Sequence, residues 1–115
     1  MDELENLRAR LRAFAAEREW ETFHSPKNLA MALSAECGEL LEVFQWMTEG
    51  ESRAPAPAAQ AAAAEEMADV LLYLVRIADV LGVDLVAAAR RKIEINAQKY
   101  PVEKSRGSSR KYNEL

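Results

Sequence analysis

The chain has 115 residues, the size of one ordinary domain, and its 15 basic and 19 acidic side chains leave a formal net charge of −4. This balance argues against a protein that coats nucleic acid or binds membranes through a basic surface, since both need an excess of positive charge. One Cys and one His exclude an internal disulfide and a multi-histidine zinc site. Alanine supplies 21 of the residues, so the core is thinner than a hydrophobic content of 50% indicates.

The sequence carries no pattern typical of a targeting or membrane segment. Asp2, Glu3 and Glu5 stand where a signal peptide would have basic residues and an apolar run. No uncharged stretch approaches the roughly 18 residues that a membrane-spanning helix needs. We therefore expect a cytoplasmic protein without a membrane or nucleic-acid partner.

The pattern predicts four helices and almost no strand. Asp2 is the expected N-cap of the first helix, over about residues 4–19, and Glu5 lies three residues further on, as in a capping box. Ser25 followed by Pro26 marks the start of the second helix, which is predicted to continue to about residue 48 and to end near Gly50.

A low-complexity stretch rich in alanine and proline, residues 52–64, leads into the third helix. The alanines after the prolines begin that helix, and Gly82 ends it as the left-handed residue after the last turn. Asp84 is the expected N-cap of the fourth helix, which ends before Pro101. Such helices predict an all-α protein, either an up-and-down four-helix bundle or a helical hairpin with partners. We expect one domain over residues 1–102 and a basic tail over 103–115.

Acidic side chains occupy positions that the apolar pattern assigns to the core. On the second helix Glu36 fills a slot in the leucine stripe and Glu39 follows one turn later, while the third helix repeats this spacing with Glu66 and Asp69. Two like charges at about 4 Å repel by roughly 4 kcal/mol at an effective dielectric constant near 20. Four carboxylates together therefore need protonation or a cation, and Mg²⁺ prefers such oxygen ligands. A single pair at this spacing is common on solvated helices, but two pairs predict a metal site.

Donor side chains recur along one face of the fourth helix. Lys92, Asn96 and Lys99 are spaced by four and three residues, which suits a polyphosphate next to a carboxylate–metal cluster. The alternative is an ordinary solvated face. Tyr100 either joins this group or is a common helix-end aromatic.

Aromatic residues flank the second helix. Trp20 precedes it and Trp46 lies near its predicted end, so the two could enclose a nucleobase, with stacking worth about 1–3 kcal/mol per base. The alternative is core or interface packing, which the pattern favours for Phe14 and Phe44. His24, in the link before the second helix, is more often a turn hydrogen-bonding residue than a catalyst.

Taken together, these motifs resemble the MazG-like all-α nucleoside triphosphate pyrophosphohydrolases. The paired motifs are ECGELxExFQW at residues 36–46 and EEMADVLxYL at 65–74. Residues 14–33, FAxERxWExFHxPxNLxMAL, resemble the dCTP pyrophosphatase branch, and KIxxNxxKYP at 92–101 and KYNEL at 111–115 also fit. The resemblance covers most of the chain but leaves out residues 53–64.

This resemblance implies hydrolysis of a nucleoside triphosphate, of the dCTP or 5-modified dCTP kind, to the monophosphate and pyrophosphate, with Mg²⁺ as cofactor and Mn²⁺ as a substitute. It implies four metal ligands: Glu36, Glu39, Glu66 and Asp69. It implies base contacts from Trp20, His24 and Trp46, and sugar or phosphate contacts from Asn28, Tyr73, Lys92, Asn96, Lys99 and Tyr100. It also implies a homodimer or a dimer of dimers whose pockets are built partly by a neighbouring subunit.

For the catalytic carboxylates we expect Glu39 and Glu36, with Glu39, on the edge of the stripe, as the base that deprotonates the attacking water. The tail leaves two interpretations open: Lys111 and Tyr112 form a lid over a bound triphosphate, or the tail is disordered or straps two subunits together.

Two other functions compete with this one. A di-iron protein would need pairs of the form Glu-x-x-His, and the chain has one, Glu21 and His24. A non-catalytic helical module that binds a nucleotide or another protein is the second alternative.

Overall fold

Most of the residues that the computed structural model describes, residues 2–115, are helical. In chain order the elements are α1 (Glu3–Glu17), a 3-10 turn (Glu21–Phe23), α2 (Pro26–Phe44), α3 (Glu49–Arg53), α4 (Pro57–Leu81), α5 (Leu85–Lys99), α6 (Val102–Ser105) and a second 3-10 turn (Tyr112–Glu114). Residues 2–115 contain no strand, so the all-α prediction is confirmed. No helix over these residues has the length and hydrophobicity to cross a membrane.

Capping residues begin the long helices where the sequence predicts. Asp2, Ser25 and Asp84 each accept a hydrogen bond from the backbone N–H three residues further on, at 2.8, 3.1 and 3.0 Å. These bonds satisfy N–H groups that have no partner within the first turn. At the end of α4, Gly82 has φ 68° and lies in the left-handed region, as predicted.

The end of α2 differs from the prediction. The helix ends at Phe44 instead of near residue 48, and Thr48 begins α3. The Thr48 hydroxyl accepts a hydrogen bond from the backbone N–H of Glu51, and the Glu51 carboxylate accepts one from the backbone N–H of Thr48, both at 3.1 Å. This reciprocal capping box starts a new helix, which the prediction had merged with the end of α2.

A left-handed residue ends α1 and redirects the chain. Glu19 has φ 54°, and its N–H donates to the carbonyl of Ala16 at 3.1 Å while the N–H of Trp20 donates to that of Ala15 at 2.9 Å. This pair of bonds is the Schellman motif. It ends the helix two residues before the predicted boundary and fixes the position of Trp20.

Small side chains allow the helices of the first compact unit, which ends at Gly82, to pack closely. α4 packs against both α2 and α1. The buried apolar residues are Ala15, Leu29, Ala63, Val75 and Ala78. Leu29 is the one large side chain that is fully buried among residues 2–115, which agrees with the thin core expected from the alanine content.

The second compact unit covers Val83–Leu115 and contains α5, α6 and the final 3-10 turn. The predicted four-helix arrangement and the predicted division into residues 1–102 and 103–115 stay predictions.

Candidate active site

Four carboxylates from two helices meet in the first unit. α2 contributes Glu36 and Glu39, α4 contributes Glu66 and Asp69, and the spacing of three residues places each pair on one side of its helix. One oxygen of each residue lies within 4.8 Å of one oxygen of every other. The structure thus brings together the four acidic residues that the sequence singled out, and we call them the carboxylate cluster.

The pKa values of two carboxylates of this cluster, Glu36 and Glu66, are raised. The hydrogen bond with Glu39, burial and the charges of the three neighbouring carboxylates together raise the pKa of Glu66 to about 7. The pKa of Glu36 is also raised, first by its hydrogen bond with Glu39 and then by burial and by the charges of Glu39 and Asp69, although a hydrogen bond with Glu66 opposes this. Both shifts show that the charged forms are crowded.

Two oxygen atoms of the cluster have no hydrogen-bond partner. Oε2 of Glu36 and Oε2 of Glu66 are buried, and nothing in residues 2–115 donates to them. A buried carboxylate oxygen without a donor is costly, and a hard divalent cation removes that cost because it binds several oxygen ligands at once. The residues present therefore fit a metal ion.

A cavity of about 170 Å³ adjoins the cluster in the same unit. Its lining residues come from α1, α4 and the link between α1 and α2: Leu11, Phe14, Ala15, Trp20, His24, Asp69, Leu72, Tyr73 and Arg76. Asp69 belongs both to this lining and to the carboxylate cluster, so the two features are neighbours.

Aromatic rings meet edge to face on the wall of the cavity. The ring centroids of Phe14 and Trp20 are 5.7 Å apart at 68°, and those of Trp20 and His24 are 6.2 Å apart at 62°. Such contacts hold each ring in a defined orientation. The cavity can therefore accept a flat, polarisable group next to the carboxylates.

An ion-pair network lies behind His24. Nε of Arg76 donates to Nδ1 of His24 at 3.1 Å, and Nη1 of Arg76 lies 3.3 Å from a carboxylate oxygen of Asp79. Arg8 and Arg12, from α1, also bind Asp79. The hydrogen bond from Arg12, opposed by burial and aided by Arg8, lowers the pKa of the Asp79 carboxyl. Burial, followed by the charge of Arg76, lowers the pKa of His24.

Several cavity residues were not predicted as site residues. Phe14 was assigned to packing, yet it lines the cavity and is 46% exposed. Arg76 is 8% exposed and carries the hydrogen bond to His24, but no sequence spacing connects two residues 52 positions apart. The potential metal-binding group found in residues 2–115 contains carboxylates alone, without the Glu21–His24 pair.

Two predicted base or sugar contacts lie elsewhere in the first unit. Trp46 is 90% exposed and does not line the cavity. The amide nitrogen of Asn28 donates to the carbonyl of Phe23 at 3.1 Å, so this side chain braces the 3-10 turn before α2. Tyr73, in contrast, lines the cavity as a ligand-contacting residue should.

The remaining predicted contacts lie in the second unit. Lys92, Asn96 and Lys99 are on α5 and Tyr100 is its C-cap. Tyr112 meets Tyr100 edge to face at 6.1 Å, and the Lys99 ammonium lies 4.8 Å from the centre of the Tyr112 ring. Within this unit, the end of the tail therefore packs against the end of α5.

Known proteins identify the family of this fold and cluster. The model of the MazG-like family matches residues 31–115, and the chain belongs to that family. It is similar to dCTP pyrophosphatase 1 of Homo sapiens, with 50% identity over 114 residues, which cover 97% of this chain and 67% of the human protein. It is also similar to dCTP pyrophosphatase 1 of Rattus norvegicus, with 49% identity over 97% of this chain and 67% of the rat protein.

A solved structure shares the fold. The crystal structure of a pyrophosphatase from Archaeoglobus fulgidus superposes with a TM-score of 0.82 at 40% sequence identity. The match covers 88% of this chain and 94% of the archaeal one. The all-α, MazG-like architecture predicted from the sequence is therefore confirmed.

Proposed function

We propose that this chain is a Mg²⁺-dependent nucleoside triphosphate pyrophosphohydrolase that acts on dCTP or a 5-modified dCTP. The observation that carries the proposal is that Asp69 belongs at once to the carboxylate cluster and to the aromatic cavity. A cluster suited to cation-bound phosphates thus adjoins a cavity suited to a base. The names of the curated relatives support the reaction and the choice of nucleotide.

The carboxylate cluster would hold the metal. Glu36, Glu39, Glu66 and Asp69 offer oxygen ligands alone, which suits Mg²⁺ and, as a substitute, Mn²⁺. When bound, the ion neutralises negative charge on the triphosphate oxygens.

Glu39 is the proposed base. Its side chain is the exposed member of the α2 pair, whereas an oxygen of Glu36 is buried, so a water molecule can approach Glu39. Glu39 takes a proton from this water as the water oxygen bonds to the α-phosphorus. The bond between the α-phosphorus and the α–β bridging oxygen breaks, and its electron pair leaves with pyrophosphate. Glu36 helps to orient the water.

Substrate contacts are proposed for the residues that the resemblance implies. Trp20 and His24 bind the base in the cavity, and Tyr73 contacts the sugar beside Asp69. Trp46, which is exposed, completes the pocket of a second copy. The remaining sugar and phosphate contacts are assigned to Asn28, Lys92, Asn96, Lys99 and Tyr100.

The metal role is tested by binding and turnover together. Glu36→Gln and Glu66→Gln should each lower Mg²⁺ affinity, measured by calorimetry, and pyrophosphate release. Glu65→Gln is the matched control, because Glu65 is exposed and lies outside the cluster. Loss of activity in the control as large as in the cluster variants would count against the assignment.

Glu39→Gln tests the general base. The variant should retain Mg²⁺ binding, and its rate of pyrophosphate release should fall by a factor of about 10²–10⁴, the usual contribution of a positioned general base. Full turnover with unchanged metal affinity would rule out Glu39.

The substrate is tested with a panel of dCTP, 5-methyl-dCTP, dUTP, dTTP and purine triphosphates. We expect the highest kcat/KM for the two cytosine nucleotides. Trp20→Ala and Trp46→Ala should raise KM and leave metal affinity unchanged. Equal KM values in wild type and variants would make both tryptophans packing residues. Nucleotide binding without pyrophosphate release from any of these substrates would favour the non-catalytic module instead.

A homodimer or a dimer of dimers is the proposed assembly. Large apolar side chains are exposed on and after α2, among them Met31 (63%), Leu41 (62%) and Trp46 (90%). A second copy would remove this surface from water, and light scattering on the purified chain measures the mass.

Two roles stay open for the tail, residues 103–115: a lid over a bound triphosphate, through Lys111 and Tyr112, or a strap between two subunits. A lid predicts that truncation after Val102 raises KM for the nucleotide. An unchanged KM would exclude the lid and favour a strap between two subunits.

A further inference from the structure

His24 is the one histidine of the chain, and one of its ring nitrogens is already occupied. Nδ1 lies 3.1 Å from Nε of Arg76. A guanidinium is always protonated and only donates, so Nδ1 must accept with its lone pair. The neutral ring then carries its proton on Nε2.

Arg76 is held in place from the other side. It is 8% exposed, and Asp79, whose side chain is 5% exposed, lies 3.3 Å from its Nη1. Because Asp79 also binds Arg8 and Arg12 of α1, its position is fixed by two helices. The guanidinium therefore has little freedom to turn away from His24.

Among residues 2–115, the one hydrogen bond to the His24 side chain is that from Arg76. Trp20 lies against the ring edge to face, and the His24 backbone N–H donates to the carbonyl of Glu21 in the link before α2. The ionisable residues that line the same cavity from α4 are Asp69, Tyr73 and Arg76. The hydrogen bond from Arg76 is the specific contact that distinguishes the two ring nitrogens.

We propose that Arg76 is a positioning residue of the cavity, which holds His24 as the Nε2–H tautomer so that His24 offers a ligand a hydrogen-bond donor. The matching group on the ligand is an acceptor, such as the carbonyl oxygen or the unprotonated ring nitrogen of a pyrimidine. An exocyclic amine cannot fill that place, because donor would face donor. The nature of the ligand rests on the proposed function, whereas the tautomer does not.

Nitrogen NMR of the free protein tests the tautomer directly. With ¹⁵N-labelled histidine the chain gives one pair of ring signals, and we expect an unprotonated Nδ1 and a protonated Nε2. Protonated Nδ1 in the wild-type protein at pH 8 would overturn the proposal without any variant.

Arg76→Lys tests the cause of the tautomer. Lysine keeps a positive charge near Asp79 but lacks the Nε–H that faces His24. We expect a mixture of the two tautomers. Arg12→Gln is the matched control, because it removes a partner of Asp79 that does not contact His24. Unchanged signals in Arg76→Lys, or an equal change in both variants, would overturn the proposal.

Kinetics test the role of Arg76 in ligand binding. Arg76→Lys should raise KM for dCTP about tenfold, as for loss of one oriented hydrogen bond, with kcat changed less than about twofold. Arg76→Lys combined with His24→Ala should raise KM no more than His24→Ala alone, since both act through one contact. A KM increase in the double variant equal to the product of the two single increases would contradict the positioning role of Arg76. Failure of the wild type to release pyrophosphate from any nucleotide would instead refute the proposed function, and the NMR result would still decide the tautomer.

Discussion

Glu66 binds a proton more tightly than an ordinary glutamate because of its hydrogen bond with Glu39, its burial and the charges of three neighbouring carboxylates. Its pKa of about 7 in the folded chain lies above the ordinary glutamate pKa of 4.5, which applies when the chain is unfolded. Ionisation therefore costs more in the folded state. The contribution of Glu66 to stability falls as the pH rises from about 4.5 through 7, and below 4.5 this cost is absent.

Glu66→Gln removes this pH-dependent cost. In EDTA at pH 8 we expect the variant to unfold at a higher urea concentration than the wild type, and the difference should shrink toward pH 5. Mg²⁺ should reverse the order at pH 8, because the wild type alone keeps the full cluster. Glu65→Gln, outside the cluster, should unfold like the wild type throughout. Identical wild-type and Glu66→Gln curves at pH 8 would show that the cluster is not crowded.

The sequence predicts residues well where the signal is local. The two pairs of acidic residues were predicted from the sequence because a spacing of three residues places both side chains of a pair on one helical face, whatever the tertiary structure. The contact of Arg76 with His24 depends on how α4 packs beside the link before α2, so no local pattern contains it. The sequence pattern assigns Phe14 to the core because it continues the leucine stripe of α1. In the structure Phe14 lines the cavity and is about half exposed.

The end of α1 is the element whose geometry most directly shapes the site. Its Schellman motif needs a left-handed residue, and the chain has Glu19 there with φ 54°. A side chain with a Cβ is strained by about 1 kcal/mol or more in that region, whereas glycine is not.

Glu19→Gly should therefore raise the free energy of unfolding by about 0.5–1 kcal/mol, after allowance for the greater freedom of glycine in the unfolded chain. Urea denaturation measures it, with Glu17→Gly as the matched control. Glu17 is the last residue of α1, in ordinary helical conformation, so its replacement should destabilise by up to about 1 kcal/mol. A lower free energy of unfolding in Glu19→Gly would mean that the Glu19 side chain stabilises the folded chain.

Helix boundaries show where sequence prediction fails at this scale. Caps at Asp2, Ser25 and Asp84 were correctly predicted because one side chain and one N–H determine them. The break between α2 and α3 was missed because the apolar stripe continues past Phe44, although the Thr48–Glu51 capping box was present as a sequence signal.

At the scale of the whole molecule, the thin core and the exposed apolar side chains belong together. A chain of this size that buries mainly alanine and valine has limited stabilisation from its own interior. The exposed Met31, Leu41 and Trp46 offer further apolar area to a second copy. The fold class followed from the helical pattern alone, but the assembly could not, because both a core stripe and an interface stripe are apolar.

Association should make the melting temperature depend on concentration. We expect the Tm of the wild type to rise with protein concentration, and Leu41→Lys to lower the mass in light scattering and remove this dependence. Leu41 is 62% exposed, so the substitution leaves the core of the single chain intact. Gln60→Lys adds the same charge at another exposed position of the first unit and should behave like the wild type. A concentration-independent Tm in the wild type would indicate a monomer.

One helix carries both ends of the candidate site. Asp69, at the carboxylate cluster, and Arg76, behind His24, are seven residues apart on α4, which is about 10 Å along a helix axis. A helix is stiff over this length, so α4 sets the distance between the two ends of the site for any ligand that spans them. One residue inserted between Asp69 and Arg76 would increase this distance by only about 1.5 Å but would rotate one end relative to the other by about 100°. The distance between the two ends of the site is therefore set by the residue spacing within α4, and changes in loop length do not alter it.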